Sequence, residues 1–144
     1  MIILCVGNEA DKKDSLPLEI MPLLKKKLPD LNFQKYDPTE ELISVKDKLI
    51  FIDTVDKIKK ITVFNSLSAF AASPNISVHD YDLYLELSLR KKLKKLKDFL
   101  IIGLPAHATS EKAAFEVCKI LESAVADFKK VRSAAHAGVV SADN

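Results

Sequence analysis

Three residues of types that bind metals lie beside segments typical of strands and helices: Asp14, Asp53 and His79. Asp14 follows the first apolar run of the chain, Asp53 closes a later apolar run, and His79 precedes a leucine-rich segment. Two carboxylates and one imidazole suit a divalent transition metal, and they leave coordination positions open for water or a substrate group. We therefore predict one metal-contacting site formed by these three side chains.

Each of the three residues also has an ordinary structural interpretation. Asp14 could be an acid near a helix N-terminus, where a negative charge is favourable. Asp53 could hydrogen-bond a neighbouring loop, and His79 could be an exposed loop residue. The sequence contains neither H-x-x-x-H nor H-E-x-x-H, so spacing alone leaves both interpretations open.

The regions around these residues predict alternating strands and helices. Apolar runs and alternating patterns are typical of strands at residues 2–6, 32–36, 48–53, 60–64 and 98–102. Helical spacing of apolar residues begins after Ser15 and again at Ser110. Residues 82–89 are ambiguous, because their alternating leucines are typical of a strand, but residue propensities and the continuation to Leu93 and Leu96 favour a helix there. Pro22 predicts a kink in the first helix or a later start, and residues 65–76 carry no regular pattern.

This order of elements predicts a single three-layer α/β domain. We expect a mostly parallel or mixed central sheet of about five strands, with helices on both faces. Ligands of such sheets bind beyond the carboxyl ends of the strands. That rule selects the turn at Gly7 and Asn8 with its loop, the strand end at Asp53, and the segment after Gly103.

Length and hydropathy limit the class of protein. The chain has 144 residues, 48% of them hydrophobic, which is enough for the core of one domain. No apolar run approaches the roughly 18 residues of a membrane span, and the N-terminus has no basic leader or cleavage site. We expect a cytoplasmic protein whose domain covers residues 1–132, with a disordered tail at 133–144.

Cysteine usage and charge add little about partners. Cys5 and Cys118 form no C-x-x-C pair and are expected to be buried thiols. The net charge of +2 gives no reason to expect nucleic acid. Residues 90–97 include six cations, which fits either a solvated helix face or a patch for an acidic partner surface. No aromatic residue interrupts that run, so it offers no platform for base stacking.

Four short motifs follow one another along the chain, each joining a strand or helix to small or polar residues. They are Leu4-Cys5-Val6-Gly7-Asn8 with Asp14, Leu49-Ile50-Phe51-Ile52-Asp53-Thr54, Ser77-Val78-His79 with Leu83, and Ile101-Ile102-Gly103-Leu104-Pro105. In this order they resemble the hydrogenase maturation endopeptidases, which remove a C-terminal peptide from the large subunit of nickel–iron hydrogenases. The resemblance extends over residues 1–128.

The resemblance implies a site and a reaction. Asp14, Asp53 and His79 would contact nickel already inserted in the large-subunit precursor, and zinc or cadmium could substitute for it. Hydrolysis would follow by activation of water and polarisation of the scissile carbonyl. Gly7 and Asn8 would shape the turn near the site, with Asn8 hydrogen-bonding the loop that carries Asp14. The expected partner is the precursor, with no membrane and no nucleic acid.

Two other functions stay open because the sequence departs from the family pattern. The family usually has glycines near the first acid and after the second strand, whereas this chain has three glycines in total and Asp37-Pro38-Thr39 at the second turn. A non-cleaving maturation or docking protein for a metal-loaded subunit would fit such loops. A small-molecule or nucleotide enzyme on a similar scaffold is the other alternative, although G-x-x-x-x-G-K-S and G-x-G-x-x-G are both absent.

Overall fold

A computed structural model describes residues 1–40, 48–71, 78–96 and 98–140, with residues 78–81 and 138–140 given by their backbone alone. The strands within these ranges are β1 (Ile2–Val6), β2 (Asn32–Tyr36), β3 (Leu49–Val55), β4 (Thr62–Phe64) and β5 (Phe99–Pro105). The helices are α1 (Leu16–Lys27), α2 (Leu67–Ala71), α3 (Val78–Lys92) and α4 (Ser110–Val140).

The described strands form one mixed sheet in the order β2-β1-β3-β5-β4. Strands β1, β2, β3 and β5 are parallel, and β4 pairs antiparallel with β5 at one edge. Strand β3 is central and buried at every position, as expected where helices cover both faces of a parallel region. The predicted α/β class and the mixed sheet of about five strands are therefore confirmed.

Helices cover both faces of this sheet and bury its apolar side chains. On one face, α1 and α4 contribute Leu24 and Val117 to a core that includes Ile52. On the other face, α3 contributes Leu83 to a second core that includes Phe51. Each such fully buried side chain contributes on the order of 1.5–3 kcal/mol relative to exposure. The three-layer arrangement thus follows from strands that are apolar on both sides.

The start of α1 is tied to the start of α4 through one carboxylate. Ser15 is in the N-cap position of α1 but makes no side-chain cap; its hydroxyl instead donates to Oε1 of Glu19 at 2.6 Å. Ser110 donates to the other oxygen, Oε2, at 3.1 Å. These hydrogen bonds, chiefly the one from Ser15, hold the pKa of Glu19 below its usual value. These hydrogen bonds fix the end of the loop that joins α1.

Two strands continue further than their sequence pattern predicts. The pattern ends β3 at Asp53, but the strand continues to Val55, and β5 continues to Pro105. The two strands pair in register along this extra length, from Asp53 opposite Gly103 to Val55 opposite Pro105. Ladder hydrogen bonds to a neighbour extend a strand past the polar residue at which its apolar run stops. Asp53 therefore lies inside β3 and not at its end.

Other boundaries also differ from the expectations. Strand β4 begins at Thr62 instead of residue 60, and α2 forms within the segment expected to be irregular. Helix α1 is continuous through Pro22. In the segment expected to be a disordered tail, α4 continues to Val140. Residues 141–144 and Ser77 of the third motif lie outside the described ranges. Within those ranges, no helix is sufficiently long and apolar to cross a membrane.

Helix α3 ends in a Schellman motif that carries lysine where glycine is usual. Lys94 has a φ of 56°, and its N–H donates to the Lys91 carbonyl at 3.1 Å. The Lys95 N–H donates to the Arg90 carbonyl at 2.9 Å. A side chain at this left-handed position costs about 1 kcal/mol because its Cβ crowds the backbone, a cost that glycine avoids.

We therefore expect Lys94→Gly to stabilise the protein. The free energy of unfolding should rise by about 0.5–1 kcal/mol, since the relief of crowding is partly offset by the greater freedom of glycine in the unfolded chain. Urea denaturation followed by circular dichroism would measure the change. A matched Lys92→Gly substitution, inside the last turn of α3, should destabilise by a similar amount. Equal effects of the two substitutions would contradict this account of the helix end.

Candidate functional site

The candidate site lies between β1 and β3, where the connections of the sheet change direction. Strand β1 is followed by α1, on one face of the sheet, and then by its neighbour β2, whereas β3 is followed by the edge strand β4 and then by α2 and α3, on the opposite face. Strands β1 and β3 are parallel neighbours, so the connections that leave their carboxyl ends diverge and open a crevice between them. This is the topological switch point at which open α/β sheets bind ligands.

The loop after β1 is held against the strand end by Gly7 and Asn8. The Asn8 N–H donates to the Asp14 carbonyl at 3.2 Å, and the Asn8 side-chain oxygen accepts the Ala10 N–H at 3.0 Å. A Cβ built on Gly7 would lie 2.3 Å from that same Asp14 carbonyl oxygen. Only glycine permits so close an approach of backbone to backbone. The prediction that Asn8 hydrogen-bonds the loop carrying Asp14 is confirmed.

Further bonds within the loop fix the position of Asp14. The Asp14 N–H donates to the Asp11 carbonyl at 2.9 Å, and the Asp11 carboxylate accepts the Lys13 N–H at 3.0 Å. Asp14 directly precedes Ser15, the N-cap residue of α1. It therefore lies near a helix N-terminus, as the ordinary interpretation expected, and it also lines the crevice described next. The two interpretations of Asp14 are compatible.

Asp53 projects from β3 on the side of the sheet that α3 covers. Its alternate neighbours Phe51 and Val55 belong to the core on that side. The register pairs Cys5 with Ile52, which brings Asp53 level with the last residue of β1. The side chain is 1% exposed, yet it lines the crevice together with Gly7. A carboxylate so placed is shielded from bulk water, which strengthens its interaction with any cation that enters.

Asp14 and Asp53 line one cavity of about 460 Å³. Among the described residues, three further carboxylates and one lysine line the same cavity: Asp37, Glu40, Asp82 and Lys35. Lys35 also forms an exposed ion pair with Glu9, at 3.4 Å. The cavity wall is therefore strongly acidic, and its field favours cations over anions. We name it the acidic cleft.

The sequence prediction did not include Asp37 and Asp82 in this site, although the sequence carries a signal for each of them. Asp37 directly follows β2, so the strand-end rule could have selected it. Its carboxylate accepts the Thr39 N–H at 2.9 Å and the Thr39 hydroxyl at 2.8 Å, which shapes the turn after β2. Asp82 follows His79 by three positions in α3, and that spacing was visible in the sequence.

His79 is in the first turn of α3, and its side chain is not among those described. Helix α3 contributes Asp82 to the acidic cleft, so the N-terminal part of the helix that carries His79 adjoins the two carboxylates. Among the described side chains, no group of three or more His, Cys, Asp or Glu could hold a metal ion. The predicted trio of Asp14, Asp53 and His79 therefore stays a prediction.

Other chemically active side chains lie elsewhere. His107 lines a separate cavity of about 260 Å³ beside α4, with Lys59 and Glu116. Both cysteines are free and buried, as expected. Burial raises the pKa of the Cys5 thiol to about 12, so the thiolate needed for nucleophilic attack is scarcely populated at neutral pH. Cys5 also points into the core shared with α1 and α4, on the face opposite Asp53.

The fold is shared with solved hydrogenase maturation endopeptidases. HybD, the hydrogenase maturating endopeptidase from E. coli, superposes with a TM-score of 0.69 at 18% identity, over 88% of this chain and 92% of that chain. An endopeptidase from Escherichia coli solved in solution gives 0.59 at 19% identity, over 88% and 93%. The nickel–iron hydrogenase maturation protease HycI from Thermococcus kodakarensis KOD1 gives 0.51 at 18%, over 84% and 92%.

Sequence comparisons give no match. No protein-family model matches the chain, and no curated protein matches it significantly. At this level of identity the structural likeness establishes the fold, which is that of HybD. The resemblance seen in the motifs is therefore confirmed as a resemblance of fold. Activity has to be argued from the site.

Proposed function

We propose that this protein is a cytoplasmic endopeptidase that removes the C-terminal extension of a nickel-loaded hydrogenase large-subunit precursor. Nickel arrives with the precursor and is contacted by Asp14, Asp53 and His79. The observation that carries the proposal is that Asp14 and Asp53 line one acidic cleft at the switch point of a fold shared with HybD and HycI. Zinc or cadmium would occupy the same position in place of nickel.

The donor set is suited to a metal that is delivered and later released. Two carboxylates and one imidazole supply three ligands, and they leave positions for groups of the precursor and for water. Positions three residues apart on a helix lie on the same face, so His79 and Asp82 belong to one face of α3, and Asp82 lines the acidic cleft. This spacing supports the inclusion of His79.

Hydrolysis needs a water, a polarised carbonyl and an acceptor for one proton. The water oxygen bonds to the scissile carbonyl carbon, the C–N bond breaks, and the amine leaves with a proton that came from the water. A divalent metal at the cleft would polarise the carbonyl or lower the pKa of the water. The carboxylates of the cleft and the imidazole of His79 are the candidate proton acceptors, whereas the Cys5 thiol lies in the opposite core.

The test is incubation of the purified protein with the nickel-loaded large-subunit precursor of the source organism. We expect the precursor to lose a defined C-terminal mass, read by mass spectrometry of the intact protein, while the nickel-free precursor stays whole. An uncut nickel-loaded precursor held in a stable complex would contradict the protease and favour the docking function. The motif departures motivate that alternative, because the loop over residues 9–15 has no glycine.

A further inference from the structure

A second groove continues from the acidic cleft along α3. It has a volume of about 320 Å³ and is lined by Thr39, Glu40, Leu89 and Leu93, among others. Thr39 and Glu40 line the acidic cleft as well, so the turn after β2 is a wall common to both. We call this second cavity the α3 groove. A chain seated in the acidic cleft can pass directly into it.

Three exposed leucines lie along α3, and two of them, Leu89 and Leu93, line the α3 groove. The exposed fractions are 47% for Leu85, 53% for Leu89 and 54% for Leu93. These leucines are spaced four residues apart, so they lie on one side of α3, with Leu93 directly after its last residue. A row of large apolar side chains in water is typical of a surface that a partner covers. Arg90 and Glu86 also line the groove. Their positions are fixed, because Arg90 is only 8% exposed and its Nε donates to Glu86 at 2.7 Å.

Charge changes sign along the path. The acidic cleft at the N-terminal part of α3 carries five carboxylates. The opposite end of α3 presents four exposed lysines: Lys91, Lys92, Lys94 and Lys95, of which Lys95 lines the α3 groove. A bound segment with acidic side chains would be repelled at the first end and attracted at the second.

The ordinary explanation of these lysines covers only part of them. Cations in the last turn of a helix are favoured by its dipole, which accounts for Lys91 and Lys92. Lys94 follows the helix and occupies the left-handed position, with a φ of 56°, where glycine would be more stable. The sequence thus keeps a cation at a position where it costs stability, beside the end of the α3 groove.

The geometry points to the α3 groove as the binding site for an extended, acidic and apolar segment of the precursor. This inference rests on the proposed function. Leu89 and Leu93 are separated by about 6 Å along the helix, which matches two side chains at positions i and i+2 of an extended peptide, about 6.6 Å apart. Asp82 and Leu89 are separated by about 10 Å, or about three extended residues.

The segment recognised is therefore defined in chemical terms. The segment has two apolar side chains separated by one residue. They lie about three residues from the part of the precursor that occupies the acidic cleft. Two or more Asp or Glu side chains follow, paired with Lys94 and Lys95. Four lysines match several acidic side chains better than they match a single terminal carboxylate.

Binding measurements on the full chain test this inference. The nickel-loaded precursor is immobilised, and its Kd is measured by biolayer interferometry for the wild type, for Leu89→Ser/Leu93→Ser and for Lys94→Glu/Lys95→Glu. We expect each double variant to raise the Kd by about tenfold or more. A matched control, Lys25→Glu/Lys26→Glu, makes the same charge change at the end of α1, on the opposite face of the sheet, and should change the Kd by less than about twofold.

The outcomes separate this inference from the proposed function. If the wild type cleaves the precursor and the groove variants bind as tightly as the control, the groove assignment is wrong and the protease stands. If the wild type binds without cleaving and the groove variants weaken binding, the groove stands and the protease fails. Hydrogen exchange should also show added protection of the amides from Leu85 to Lys95 in the complex, and an unchanged pattern there would overturn the groove.

Discussion

Asp53→Asn is expected to reduce cleavage of the nickel-loaded precursor by about a thousandfold or more. Asparagine keeps the shape of the side chain but removes the negative charge, and because Asp53 is only 1% exposed, bulk water compensates little for that loss. A thousandfold corresponds to about 4 kcal/mol of transition-state stabilisation, within the range of metal-assisted charge stabilisation. Initial rates of C-terminal mass loss would measure it.

A matched control separates direct contact from the general field of the cleft. Asp37→Asn makes the same change in a carboxylate that lines the same cavity, and Asn can still accept the hydrogen bonds from Thr39. We expect it to reduce cleavage by less than about tenfold, because only the longer-range field changes. The fold of Asp53→Asn should stay intact by circular dichroism, since asparagine keeps the volume of the buried side chain. Full activity of Asp53→Asn would refute the site assignment.

The positions of the strands could be predicted because both faces of the sheet are covered. Full burial makes β1 and β3 into short continuous apolar runs, and such runs are visible without any knowledge of neighbours. Their ends were less predictable. Strand β3 passes through Asp53 to Val55 because β5 pairs with it there, and that partner is far away in the sequence.

The end of α4 was predicted incorrectly because local composition and helix propensity disagree there. The segment after residue 132 is small and polar, which predicts disorder, yet α4 continues to Val140. Alanine is the strongest helix former, and Ala134, Ala135 and Ala137 extend a helix already nucleated at Ser110. Elongation of an existing helix costs much less than starting one.

The candidate site could be predicted in part from strand ends. Asp14 follows β1, and Asp53 lies in β3 two residues before its carboxyl end. Because the carboxyl ends of parallel strands meet at one edge, their position in one cleft follows from topology. The additional acids Asp37 and Asp82 depend on how the turn after β2 and the start of α3 approach that edge. Such packing is set by tertiary contacts, so the sequence signals for these two acids, the end of β2 and the spacing from His79, show their positions along the chain but not their approach to the cleft.

Gly7→Ala is expected to be strongly harmful although it adds only one methyl group. That carbon would lie 2.3 Å from the Asp14 carbonyl oxygen, so the loop after β1 has to move away and the Asn8 N–H bond to the same oxygen is lengthened or lost. Forced overpacking against backbone costs about 2–3 kcal/mol. Because the loop carries Asp14, we also expect cleavage to fall by about a hundredfold, as for misplacement of a reacting group by about 1 Å.

Gly138→Ala provides the matched control with the opposite sign. Gly138 lies in the last turn of α4, and alanine adopts a helical backbone more readily than glycine does. There the same substitution should stabilise by up to about 1 kcal/mol. It should leave cleavage unchanged, because the preceding residues 131–137 are all exposed and the end of α4 contributes nothing to the acidic cleft among the described residues. Urea denaturation and initial cleavage rates on both variants would measure the difference. If Gly7→Ala were as stable and active as Gly138→Ala, the loop after β1 could not be what holds Asp14 beside Asp53, and the acidic cleft would owe its shape to other contacts.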